Sequence, residues 1–189
     1  MSSQPKTYLT PEEYLAIERK AEYKSEYLAG EMFAMVSANR EHNLIAVNIA
    51  AELGQQLRDK PYESYISNMR VKASVNDLYL YPNIVVACDP KFDDDYFDTL
   101  LNPTLIVEVL SPSTASYDRI KKFGYYRRIS SLAEYLLISQ DEYKVEQYVK
   151  QADGRWLLSD ISSLEGVIEL ASIQCTLRLA DIYAKVELD

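Results

Sequence analysis

Glu108 sits inside the run Leu105-Ile106-Val107-Glu108-Val109-Leu110, which is otherwise apolar. A carboxylate placed in such surroundings carries a large desolvation cost. It persists when a cation, a hydrogen-bond partner or a proton neutralises it. Alternation along a strand puts Ile106, Glu108 and Leu110 on one face and Leu105, Val107 and Val109 on the other. Lys122 lies four residues after Asp118 and four before Tyr126, so a helix there would set all three on one face. An acid in an apolar strand with a lysine nearby suits metal-assisted phosphodiester hydrolysis. Mg²⁺ takes oxygen ligands and binds one or two carboxylates together with substrate phosphate. A lysine can orient the attacking water and offset the charge that develops. Plainer readings stand beside this one. Glu108 also fits a strand-end salt bridge or a water-facing edge strand, and Asp118–Lys122 fits a surface ion pair worth about 0.2–0.5 kcal/mol.

Composition removes several other chemistries. His42 is the single histidine and Cys88 and Cys175 the two cysteines, which excludes multi-histidine and cysteine-rich zinc centres and any disulfide framework. The five glycines are all isolated, whereas dinucleotide and P-loop sites need them clustered so that backbone N–H groups reach phosphate. No nucleotide cofactor is therefore expected. A formal charge of −9 argues against a broadly basic nucleic-acid coat but leaves room for a local basic groove. No apolar stretch approaches the ~20 residues of a membrane span, and the first residues lack a signal-peptide core. The expectation is a cytoplasmic protein without membrane attachment.

The elements that must position these residues are readable in outline. Thr10-Pro11-Glu12-Glu13 reads as a capped helix start. Residues 25–36 read as a hairpin around Ala29-Gly30. Ile45, Ile49, Leu53 and Leu57 recur every four residues in a helix from about Asn39 to Leu57. Met69, Val71, Ala73 and Val75 alternate with Arg70, Lys72 and Ser74, as in a half-buried strand. Residues 84–87, 105–110 and 135–138 are short apolar runs suited to strands covered on both faces. Between the first two lies an acidic loop from Asp89 to Asp98. A helix over residues 116–131 carries Arg119, Lys121, Lys122, Arg127 and Arg128, and a β-rich region ends in a helix from about Leu179 to Val186. The expected fold is α/β (α+β), a central mixed sheet flanked by helices. It forms one domain over residues 8–186, with an N-terminal helix and hairpin, C-terminal β additions, and residues 1–7 as a flexible N-terminus.

Three segments carry a resemblance: Tyr81-Pro82-Asn83-Ile84-Val85-Val86; residues 103–114, with Val107-Glu108-Val109-Leu110-Ser111-Pro112-Ser113-Thr114; and Asp118-(x3)-Lys122-(x3)-Tyr126. They resemble the Uma-type family of restriction endonucleases, a branch of the PD-(D/E)XK nuclease superfamily. The likeness continues through Glu134-Tyr135-Leu136-Leu137-Ile138 and back to Glu26, Gly30-Glu31 and His42. It implies a restriction-endonuclease-like core, Mg²⁺ (or Mn²⁺) as cofactor, DNA as substrate and a homodimer. Glu108 would be a metal ligand, with the Val109 carbonyl as a second. The superfamily's usual lysine position is Leu110 here, and the resemblance transfers that role to Lys122, with Lys121 as the competing choice. Tyr126 and Asp118 would support the site. Arg119, Lys121, Arg127 and Arg128 would contact phosphates. His42 matches a position near the cleft, and Glu31 matches a family acid. Asn83 stands where the family has Asp. A neutral amide weakens a metal site, and Asp77, Asp89 or Glu31 are the acids that could compensate.

Overall fold

The computed structural model describes residues 8–35, 37–73 and 78–188. Val75, Asp77 and residues 1–7 lie outside them. The chain opens with α1 (Pro11–Glu18), whose Thr10 side chain accepts the Glu13 N–H at 3.2 Å while Glu13 accepts the Thr10 N–H at 2.8 Å. The expected capping box is present. The hairpin β1 (Ser25–Leu28) and β2 (Glu31–Ala34) turns through Ala29 and Gly30, both at positive φ. A side chain at Gly30 would also meet the Tyr8 ring at 2.7 Å, so glycine is required there twice over. Next come α2 (Arg40–Gln56), β3 (Tyr62–Ile66), β4 (Arg70–Ala73), β5 (Leu78–Leu80), β6 (Ile84–Cys88), β7 (Thr99–Leu100) and β8 (Leu105–Leu110). A broken helical segment follows: α3 (Ala115–Tyr117), a π-helical turn (Asp118–Lys122) and α4 (Phe123–Tyr126). Strands β9 (Glu134–Ser139), β10 (Val145–Lys150), β11 (Trp156–Ile161), β12 (Val167–Leu170) and β13 (Cys175–Arg178) lead to α5 (Leu179–Ile182).

A six-stranded sheet runs β11-β10-β9-β8-β6-β3, and a five-stranded sheet runs β2-β1-β5-β4-β7. The six-stranded sheet is mixed. β8 and β9 are parallel, with Glu108 across from Leu137, and β6 is antiparallel to β8, with Ile84 across from Val107. β8 is covered on both faces. Leu105, Val107 and Val109 pack with Ile45, Ile49 and Leu53 of α2 and with Leu179 and Ile182 of α5. Ile106 and Leu110 pack with Val71 and Leu80 of the other sheet and with Tyr126. That double cover is why β8 and β9 read as continuous apolar runs. Glu108 shares the second face, between the two sheets.

Four local features depart from the sequence reading. The segment expected to be helical over 116–131 stops at Tyr126 and takes a π turn at Asp118–Lys122. The closing helix stops at Ile182, because Ala184 and Val186 bond back three residues instead of four. Arg70, expected on a polar face, is only 2% exposed, since β4 lies between β5 and β7 and Asp98 meets its guanidinium at 2.5 Å. Strand β3 was not expected at all. Its sequence, Tyr-Glu-Ser-Tyr-Ile, has no continuous apolar run, as suits the outer strand of its sheet.

Candidate active site

Glu108 is 2% exposed and finds its neutralising partner in Lys122. The Lys122 Nζ lies 3.1 Å from Glu108 Oε1, 2.9 Å from Glu26 Oε1 and 3.6 Å from Asp118 Oδ1. Three elements converge: β8 supplies Glu108, the π turn supplies Asp118 and Lys122, and β1 of the other sheet supplies Glu26. Hydrogen bonds fix each acid. Tyr126 donates to Glu108 at 3.4 Å, and the Tyr81 backbone N–H donates to Glu26 at 3.2 Å. Tyr135 donates to the Asp118 backbone carbonyl at 3.2 Å, and the Thr114 side chain supports the Asp118 carboxylate.

Three carboxyl groups thus share one ammonium in the interior. Burial pushes the Glu108 carboxyl up to about 8; Lys122 opposes the shift, and Asp118 and Glu26 add to it. Asp118 is also raised, again chiefly by burial. For Lys122, burial pulls downward, but Glu108, Glu26 and Asp118 together outweigh it and hold the ammonium well above the usual lysine range. The cluster therefore favours the charged lysine and disfavours the charged form of its deepest acid.

Asn83 lies at the edge of this cluster in a different arrangement. Its Oδ1 accepts the Val109 backbone N–H at 2.7 Å. That fixes the amide orientation, so Nδ2 faces His42 Nε2 at 3.0 Å and donates to it. His42 is accordingly neutral with its proton on Nδ1, and burial lowers its pKa against a contribution from Gln140. The backbone N–H of His42 is itself capped by Asn39 at 2.9 Å.

The remaining expected residues are dispersed. Lys121 is exposed beside buried Lys122, so Lys122 is the one that reaches Glu108. Arg119 pairs with Glu146 at 3.0 Å, while Arg127 and Arg128 are exposed. Glu31 sits half-buried at the start of β2, across from Leu28. Asp89 lies beyond the other end of β6 from Asn83, accepting the Cys88 thiol at 3.7 Å. Glu26 entered the sequence reading only as part of the family likeness, with no role given to it. It belongs to a four-residue strand, too short for alternation to mark an acid as buried.

The donor set suits a divalent ion in kind, being hard carboxylate oxygens in excess over one ammonium. In the resting arrangement those oxygens close on Lys122. Among the described residues no group of three or more His, Cys, Asp or Glu is placed to hold a metal ion. An ion would need Lys122 to withdraw.

A profile of the Uma2 family, described as "Putative restriction endonuclease", matches residues 11–180. The chain belongs to the Uma2 family. Two Synechocystis sp. proteins are similar to it along most of their length. "Uncharacterized protein sll1609" is 41% identical over 164 residues, covering 86% of this chain and 93% of that protein. "Uncharacterized protein slr1290" is 34% identical over 181 residues, covering 96% and 94%. A crystal structure from Anabaena variabilis, titled as "a putative nuclease belonging to DUF820", superposes with a TM-score of 0.77 over 95% of this chain and 99% of that one. At 17% identity that match establishes a shared nuclease-like fold. No helix among the described residues of this Uma2 chain is long and apolar enough to cross a membrane.

Proposed function

We propose that this Uma2 protein is an endonuclease that hydrolyses DNA phosphodiester bonds with Mg²⁺ or Mn²⁺ at the Glu108–Lys122 cluster. The observation that carries the reading is a buried acid and a buried lysine in contact at 3.1 Å, with two further carboxylates on the same ammonium. Glu108 and the Val109 carbonyl would hold the ion, with Glu26 and Asp118 supplying the negative charge that Asn83 lacks. The ion would polarise the phosphate and generate the nucleophile. Lys122 orients the attacking water once it leaves the carboxylates and offsets charge on the phosphorane-like transition state. Tyr126 holds the Glu108 carboxyl in place. Asn83 locks the β8 backbone through Val109 and sets the His42 tautomer, so its role is to position. His42 and Glu31 support the cleft.

Access requires motion, because Glu108, Asp118 and Lys122 are all buried. The π turn, a feature frequent at functional sites and the element that carries Asp118 and Lys122, would be the one to move. Lys121, Arg127 and Arg128, exposed on the same segment, meet the DNA backbone as it approaches, and Arg119 joins them by exchanging Glu146 for phosphate. A homodimer would pair through the edge strand β11, where Leu157 and Leu158 are exposed on opposite faces.

Plasmid nicking with Mg²⁺ or Mn²⁺ tests the reading. Wild-type protein should cleave, and Glu108→Ala and Lys122→Ala should each lower the rate by at least about a hundredfold. Equal cleavage by all three proteins would remove Glu108 and Lys122 from the chemistry. One observation favours a second reading, a catalytically silent nucleic-acid or protein binding module: the neutral Asn83 side chain is committed to Val109 and His42. Under that reading Asn83→Asp would create metal-dependent cleavage that the wild type lacks.

A further inference from the structure

Almost every hydroxyl that borders the carboxylate cluster is already spent. Tyr126 donates to Glu108, Tyr135 to the Asp118 carbonyl and Tyr81 to Glu18. Tyr117 differs. Its Oη is buried and has no hydrogen-bond partner among the described residues, although it lies within electrostatic reach of Glu26, Lys122 and Asp118. A buried hydroxyl without a partner costs free energy, and in a native site such an orphan points to a ligand or water that completes it. Tyr117 is the last residue of α3, directly before the π turn, so one short segment carries both its O–H and the Lys122 ammonium.

The neighbouring acids do not need this donor. Glu26 has the Tyr81 N–H and Lys122, and Asp118 has Thr114 and Lys122. A metal ion would draw on the charged oxygens before a neutral phenol. What suits a phenol O–H beside an ammonium is an anionic oxygen acceptor, and a phosphodiester presents two nonbridging ones. We propose that Tyr117 Oη is a substrate-binding donor that hydrogen-bonds a nonbridging oxygen of the phosphodiester held beside Lys122. This assignment rests on the nuclease reading above and adds to it a residue that recognises the scissile phosphate. It also accounts for an uncompensated hydroxyl being kept in an otherwise satisfied cluster.

The test is Tyr117→Phe, which removes one oxygen and keeps the ring. Two measurements are needed: urea unfolding without ligand, and fluorescence anisotropy of a labelled DNA duplex in calcium buffer, where it is bound without turnover. The variant should unfold at the same or a higher urea concentration, because the missing hydroxyl had no partner to lose. It should bind the duplex roughly tenfold more weakly, the loss of one charge-assisted hydrogen bond. A clear fall in the unfolding midpoint would overturn the proposal by making the hydroxyl a structural bond. Equal duplex affinity, with wild-type binding intact, would overturn it while leaving the nuclease reading standing. A wild-type protein that fails to bind the duplex would sink both.

Discussion

Glu26 of β1 and Glu108 of β8 reach the same ammonium from two different sheets, at 2.9 and 3.1 Å from Lys122 Nζ. The cluster is thus a strut between the sheets as well as a candidate site. A buried ion pair of this kind adds little net stability when intact, yet losing one partner is costly because the others stay buried without compensation. The lysine holds three acids in place.

Removing that lysine should therefore be expensive. Lys122→Met is expected to destabilise the protein by about 3–5 kcal/mol at neutral pH, with part of the loss recovered in acid as the carboxyls take up protons. Lys121→Met, one residue away and exposed, should change stability by less than about 0.5 kcal/mol. Urea titrations of the two variants at pH 5 and pH 8 check this. Equal stability of both variants would contradict the burial of Lys122 among the acids.

The pH dependence of the metal-free protein carries a signature of Glu108. Its folded-state pKa is raised to about 8 from 4.5, so between those values the folded chain holds a proton that the unfolded chain has released. Its contribution to stability is fully present below pH 4.5 and is lost as pH rises through about 8. The slope attributable to it is up to ~1.4 kcal/mol per pH unit within that window. Glu108→Gln, which mimics the protonated form, should flatten the stability profile there and be more stable than wild type near pH 8. An unchanged slope would show that Glu108 does not hold the proton.

Much of this arrangement was legible in the sequence, for identifiable reasons. β8 and β9 are covered on both faces, so their apolar runs stood out, and an acid within one of them announced itself. Lys122 was singled out by the family likeness; its spacing to Asp118 and Tyr126 agreed, although that spacing argument assumed α-helical turns and the segment forms a π turn at that point. The contact survives because all three side chains still project toward the same space between the sheets. The roles of Glu26 and Arg70 were not legible, although the family likeness reached back to Glu26. Each is neutralised by residues far along the chain, Glu26 by Lys122 and Arg70 by Asp98, and no local pattern reports such a pairing. Within the acidic loop, Asp93, Asp94 and Asp98 are taken up by Lys72, Arg19 and Arg70.

The Asn83 amide makes a prediction about its neighbour. Its Nδ2 donates to His42 Nε2, and burial already disfavours the imidazolium. In Asn83→Asp a carboxylate would replace that donor and favour a proton on Nε2. The His42 pKa should rise above its wild-type value by at least about one unit, read from the single imidazole signal in a proton NMR titration. A His42 that titrates identically in both proteins would separate it from Asn83.

Manganese binding tests the central claim most directly, because every catalytic step assigned to this protein needs an ion at the carboxylate cluster. Calorimetric titration of Mn²⁺ into the wild-type protein should show one site per chain, weakened at least about tenfold by Glu108→Gln and again by Glu26→Gln. Wild-type protein that takes up no manganese, or variants that bind it as well as wild type does, would contradict the account and leave the cluster as a strut between two sheets.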